Sequence, residues 1–231
     1  MNPLIIALDV DSVGQAEKLI GQIGSAAEFY KVGMELYAVG GMDFVRQVHA
    51  HGKRVFLDLK LYDIGETVKR ATARIAESGT VQFLTVHGSR AVMAAADEGR
   101  GSAATQLLAV TVLTSFDEED LADLGYSVPV SQLVELRVRK AVESRMDGIV
   151  CSPLEVRRVR EIGGPSLKLV TPGVRSAGSA NADQKRVATP QDAIKDGADF
   201  LVIGRQVTRA ADPRGACESI LAEIGVSGTR P

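Results

Sequence analysis

The chain has 231 residues, 45% of them apolar, which is enough for one sizeable core and fits a single large domain. Its 27 basic and 29 acidic residues give a formal charge of −2, so it has no basic excess for an extended nucleic-acid footprint, although a local anion site is compatible with it. No apolar run approaches the roughly 20 residues that cross a bilayer, and the opening Met1-Asn2-Pro3-Leu4-Ile5-Ile6 lacks a basic leader, so the expected setting is cytoplasmic, away from membranes.

Along the chain, short β-rich apolar runs alternate with longer amphipathic stretches. A strand at 4–9 precedes a helix at 13–23, where Val13, Ala16, Leu19, Ile20 and Ile23 recur at helical spacing. Strands at 29–33, 55–60 and 81–87 are followed by helices at 42–50, 66–77 and 90–99. Strands at 107–114, 148–152, 167–171 and 200–204 precede helices at 130–144, 154–162, 190–196 and 213–224. Thr189-Pro190 is a start signal, a capping hydroxyl followed by proline at the first helical position. Eight strands alternating with eight helices imply a parallel sheet with crossover helices. An open dinucleotide-binding sheet usually has a glycine-rich turn after its first strand, whereas this one ends Ala7-Leu8-Asp9-Val10-Asp11. The expectation is therefore an α/β protein, a (β/α)8 TIM barrel formed by 1–231 as one domain. Cys151 and Cys217 make no metal or redox motif and read as reduced, buried thiols.

Barrel chemistry takes place at the C-terminal ends of the strands. Polar residues and glycines collect there: Asp9, Lys31, Asp58 with Lys60, His87-Gly88, Thr114-Ser115, Ser152, Thr171-Pro172-Gly173 and Gly204-Arg205. Strand ends turn polar wherever they meet solvent, which accounts for the serines and glycines but poorly for Lys31, Asp58 and Lys60. In the third strand, alternation places Val55, Leu57, Leu59 and Leu61 toward the helices and Phe56, Asp58 and Lys60 toward the interior. Opposite charges inside a barrel are costly unless paired. Asp63 lies beyond the strand, where it either turns back over the mouth or reaches a neighbouring subunit. With Lys31 it would complete a network of alternating charge, which fixes a lysine's protonation and position.

The loops after strands 7 and 8 commonly hold phosphate. Gly204 permits close backbone approach, and Arg205 supplies a charge-assisted donor. The loop 172–188 is long for a compact domain and is expected to act as a lid, with Arg175, Gln184, Lys185 and Arg186 able to clamp an anion. His87 either contacts the site or caps the fourth strand.

Asp58-x-Lys60-x-x-Asp63-Ile64, Pro172-Gly173-Val174-Arg175, Gln184 and Ile203-Gly204-Arg205 together resemble orotidine 5'-phosphate decarboxylase of the common bacterial type. Ala7-Leu8-Asp9 and Tyr30-Lys31-Val32-Gly33 extend the resemblance over almost the whole chain. The resemblance implies decarboxylation of orotidine 5'-monophosphate to uridine 5'-monophosphate by a lyase of pyrimidine biosynthesis, without cofactor or metal. Lys60 would protonate C6, Asp58 would sit beside the substrate carboxylate, and Asp9 and Lys31 would contact ribose hydroxyls. Thr114, or the adjacent Ser115, would contact the base, while Arg175, Gln184, Gly204 and Arg205 would hold the phosphate. The resemblance also implies a homodimer with a shared site, to which the partner would contribute Asp63, Ile64 and Thr67. Many relatives carry Pro-Asn where this chain has Gly65-Glu66, and His where it has Tyr62. Related barrels acting on sugar phosphates share the charged run. Two alternatives therefore stand: a metal-dependent sugar-phosphate decarboxylase or aldolase with Asp58 as a magnesium ligand, and a non-catalytic barrel that binds a phosphate ligand.

Overall fold

A computed structural model describes residues 2–176 and 188–226. Eight parallel strands close into a barrel in sequence order: β1 (Leu4–Ala7), β2 (Phe29–Gly33), β3 (Arg54–Leu61), β4 (Phe83–His87), β5 (Gln106–Val110), β6 (Gly148–Val150), β7 (Lys168–Thr171) and β8 (Phe200–Ile203). Closure is made by β1 against β8, where Leu4, Ile5 and Ile6 pair with Leu201, Val202 and Ile203. The helices are α1 (Val13–Ile23), α2 (Met34–Ala50), α3 (Gly65–Glu77), α4 (Arg90–Arg100), α5 (Glu118–Asp123), α6 (Val130–Glu143), α7 (Val156–Gly163), α8 (Pro190–Lys195), α9 (Arg205–Thr208) and α10 (Pro213–Glu223).

Alternation along the strands divides the core in two. Outward residues such as Leu4, Ile6, Tyr30, Val32, Val55, Leu57, Leu84 and Val86 meet the helices in a large outer layer. Inward residues, among them Ile5, Ala7, Phe29, Phe56, Phe83, Leu108, Val170, Phe200 and Val202, fill the barrel. Phe29, Phe56, Phe83 and Phe200 lie at or near the starts of their strands and meet at centroid distances of 5.0–6.0 Å. They form an aromatic floor, each ring contributing roughly 1.5–3 kcal/mol by burial. The Arg54 guanidinium lies 4.5 Å from the Phe29 ring centre.

Four elements differ most from the sequence expectation. The second helix begins at Met34 rather than at residue 42, because a first segment buries Leu36 before the chain breaks helical geometry at Gly41 (φ +54°) and resumes. The fifth strand stops at Val110 rather than continuing to 114; Thr111 still donates its amide to Val150 at 3.3 Å, and then the chain turns. The short helices α5 and α9 have too few residues for a hydrophobic period to register. The first of these is nevertheless signalled by Asp117 and Asp120, which form a reciprocal capping box. Cys151 and Cys217 are free and buried, and burial pushes the Cys217 thiol up to about 12.

Candidate active site

The strands that supply the floor also supply the residues above it. Lys31, Asp58 and Thr85 each follow a floor phenylalanine by two positions, on the same face and about 6.6 Å nearer the mouth. Lys31 donates from Nζ to Asp9 Oδ1 at 2.9 Å, and the same ammonium lies 3.6 Å from Asp58 Oδ2. Lys60 Nζ donates to Asp58 Oδ1 at 2.9 Å. The result is a chain of alternating charge, Asp9–Lys31–Asp58–Lys60, across the ends of β1, β2 and β3.

Burial and charge oppose each other at its centre. Desolvation alone would lower the Lys31 pKa, but the Asp58 and Asp9 carboxylates outweigh it and hold the ammonium above the ordinary lysine value. Desolvation alone would raise Asp58, but Lys31 and Lys60, helped by hydrogen bonds from Lys60 and Thr85, hold it below the ordinary carboxylate range. Both groups are therefore ionised at neutral pH. Exposure increases toward Lys60, whose side chain is 34% exposed against 12% for Asp58, so this ammonium faces the mouth.

Glycine leaves room beside this network. A methyl group at Gly33 would lie 3.0 Å from Lys31 Nζ and 3.2 Å from Asp9 Oδ1, closer than ordinary contact. Strand β3 is irregular here: its register against β4 shifts between Leu57 and Leu61, and Lys60 has φ +48°. Simple alternation therefore fails as the account of how Lys60 comes to face Asp58, although Leu59 and Leu61 do pack toward the helices.

Thr85 was not identified from the sequence as a site residue. It is fully buried, accepts a hydrogen bond from the Lys60 amide at 2.9 Å, and donates to Asp58 Oδ1 at 2.9 Å. The signal was available in Phe83-Leu84-Thr85-Val86-His87, where alternation turns Thr85 inward together with Phe83.

Asp63 lies outside the charge chain: it is exposed, and its carboxylate accepts the Ile64 amide at 2.6 Å. Tyr62 and Ile64 are exposed on either side of it, as is Thr67 in the first turn of α3. Tyr62 stacks on His87 at 4.1 Å and 27°. His87 is held down to about 4 by burial and by the nearby Arg137, so it is a neutral ring beneath Tyr62 at pH 7. Arg137 itself bridges the Thr111 carbonyl and, at 2.9 Å, the Tyr126 hydroxyl. Thr114, half-buried, and Ser115, exposed, occupy the turn after β5.

At the other side of the mouth, Gly204 follows β8 and precedes Arg205, the exposed first residue of α9. After β7, Gly173 adopts φ +80° and Val174 bridges Ala188, with the Arg175 amide donating to the Ala188 carbonyl at 3.0 Å. Arg175 and Arg205 thus follow adjacent strands. Gln184, Lys185, Arg186 and most of the expected lid lie outside the described residues. Among the described residues, no three His, Cys, Asp or Glu side chains gather as a metal site would require, and no helix is long and apolar enough to cross a membrane.

Residues 2–220 match the model of the Orotidine 5'-phosphate decarboxylase / HUMPS family. The chain is 52% identical to orotidine 5'-phosphate decarboxylase of Rhodopseudomonas palustris strain BisA53 over 221 residues, covering 96% of this chain and 94% of that one. It is 50% identical to that of Methylobacterium radiotolerans over 221 residues, covering 96% and 95%. Among solved structures, orotidine 5'-phosphate decarboxylase from Lactobacillus acidophilus superposes with a TM-score of 0.85 at 35% identity, covering 97% of this chain and 99% of that one. An uncharacterized conserved protein from Geobacillus kaustophilus does so with a TM-score of 0.83 at 36% identity, covering 96% and 100%.

Proposed function

The chain belongs to the orotidine 5'-phosphate decarboxylase / HUMPS family, and from that premise we propose that it converts orotidine 5'-monophosphate to uridine 5'-monophosphate and carbon dioxide in pyrimidine nucleotide synthesis. The observation that carries the reading is Asp58 held ionised between Lys31 and Lys60, with the Lys60 ammonium facing the mouth. Loss of carbon dioxide breaks the bond from C6 to the carboxyl carbon and leaves the electron pair on C6, a vinyl carbanion with no conjugated sink. Lys60 stabilises that charge as a preorganised ammonium and then donates a proton from Nζ to C6. Asp58 beside the substrate carboxylate adds repulsion on the order of 4 kcal/mol at about 4 Å and an effective dielectric of about 20. The Lys60 contribution matters more, because it acts on charge that appears only in the transition state.

Asp9 and Lys31 bind the ribose hydroxyls, and Thr114 or Ser115 reaches the base. Arg175, Gln184, Gly204 and Arg205 hold the phosphate, and this remote binding energy is available to lower the barrier at C6. The protein works as a homodimer in which Asp63, Ile64 and Thr67 complete the partner's site. That reading is supported by the exposure of Tyr62 and Ile64 and by an Asp63 carboxylate that stands apart from its own subunit's network.

The metal-dependent alternative needs Asp58 as a ligand. Here that carboxylate already accepts from Lys60 and Thr85 and faces Lys31, two cations that would repel a third. Ultraviolet absorbance of orotidine 5'-monophosphate reads the conversion directly, and turnover is expected unchanged in EDTA. No conversion, or its abolition by the chelator, would overturn the proposal. Mixing Lys60→Ala with Asp63→Ala subunits is expected to restore about a quarter of the sites, because one of the two sites in each mixed dimer keeps both residues. Verified mixed dimers with no recovered activity would remove Asp63 from the partner's site.

A further inference from the structure

We propose that Thr85 is a positioning residue whose hydroxyl holds Lys60 in its left-handed backbone conformation and aims the ammonium through Asp58; the proposal rests on the assignment of Lys60 as proton donor. A non-glycine residue at positive φ crowds its Cβ against the backbone, so φ +48° at Lys60 persists only if its surroundings hold it there. Such strain concentrates where function requires a particular geometry. The β3–β4 register slips between Leu57 and Leu61, across this same residue. The Lys60 amide donates instead to a side chain, Thr85 Oγ1, at 2.9 Å.

The direction of each bond follows from what each group has to give. An amide can only donate, so the Thr85 oxygen accepts from Lys60, and the single hydroxyl hydrogen is left for Asp58 Oδ1 at 2.9 Å. Asp58 Oδ1 also accepts the Lys60 ammonium at 2.9 Å. Thr85 therefore grips Lys60 at both ends, at the backbone directly and at Nζ through the shared carboxylate oxygen. It does so from a fully buried position above Phe83. The hydroxyl never meets the reacting atoms, and its effect is transmitted through Lys60.

The test compares two substitutions. Thr85→Val keeps the shape but removes the hydroxyl, leaving the part-buried Lys60 amide without its side-chain acceptor. Thr85→Ser keeps the hydroxyl and removes only the methyl group. The expected result for Thr85→Val is a kcat about 10- to 100-fold lower, the range for leaving a buried hydrogen-bonding group unmade, with the affinity for uridine 5'-monophosphate changed less than about twofold. Thr85→Ser is expected to retain most of the wild-type kcat. Wild-type kcat in Thr85→Val, or equal loss in both variants, would overturn the proposal, since the effect would then not follow the hydroxyl. Hydrogen exchange at the Lys60 amide supplies a reading independent of substrate and of Thr85→Val folding: protection is expected in the wild type and in Thr85→Ser, and fast exchange in both would overturn the proposal. If the wild type fails to decarboxylate orotidine 5'-monophosphate, the functional reading falls, while the exchange measurement still decides whether Thr85 holds the backbone.

Discussion

Phe29, Phe56 and Phe83 belong to the floor of the barrel, and two positions along the same strands stand Lys31, Asp58 and Thr85. The backbone geometry that orients the two rows is shared, yet one row is held together by ring burial and the other by opposite charges that burial alone would penalise. The floor gains stability from removing apolar surface from water. The mouth gains little net stability, since desolvation offsets much of the attraction in a buried ion pair. What the charge chain contributes is a fixed ammonium at the opening. A scaffold of this kind separates the two tasks within one strand, at a distance of two residues.

That separation is open to attack from either side. The largest expected effect is at the mouth: Lys60→Ala should lower kcat by at least about 10³-fold while the thermal unfolding midpoint stays near the wild-type value. Near-normal turnover in a steady-state assay would remove Lys60 from the chemistry. At the floor, Phe83→Ala should cost about 3–5 kcal/mol of stability in denaturant unfolding, the range for a deleted core ring, because Phe83 touches Phe29, Phe56 and Phe200. Its folded fraction should keep the wild-type KM; a large rise in KM would mean that floor and mouth are coupled.

A smaller effect is expected at Gly33→Ala. The added methyl group would press on Lys31 Nζ and Asp9 Oδ1 from 3.0 and 3.2 Å. A displacement of a few tenths of an ångström should cost about tenfold in kcat/KM with little change in stability, and unchanged kinetics would show that the Lys31–Asp9 pair tolerates the shift.

The smallest effect concerns the rim. His87 is held down to about 4 from an ordinary 6.5, so between those values the unfolded chain takes up a proton that the folded chain refuses. Stability should accordingly fall as pH drops from about 6.5 toward about 4. Replacing His87 with Phe, which preserves a ring under Tyr62, should flatten that part of a stability-against-pH curve. An unchanged slope would place the titration elsewhere.

Much of this was legible in the residues. The eight-fold alternation, the strands at 29–33 and 167–171 to within a residue, and the inward face of Asp58 all follow from a period of two. The residues 34–41 were not legible as helix, because Gly40 and Gly41 mask a segment that only the packing of Leu36 secures. Thr85 was overlooked for a similar reason: an inward threonine is ordinary until it is known which strand lies beside it.

The sequence by itself determined the barrel, its charged third strand and the separation of Asp63 from the strand end, because these depend on local period and on residue type. Only the tertiary structure decided which charges meet. Pairing β2 with β1 and β3 brought Lys31 beside both Asp9 and Asp58, and the slip of β3 against β4 turned Lys60 through a positive φ onto the same carboxylate. A strand's own pattern carries no information about its neighbour's hydroxyl, so the grip of Thr85 on the Asp58–Lys60 pair exists only once β3 and β4 lie side by side.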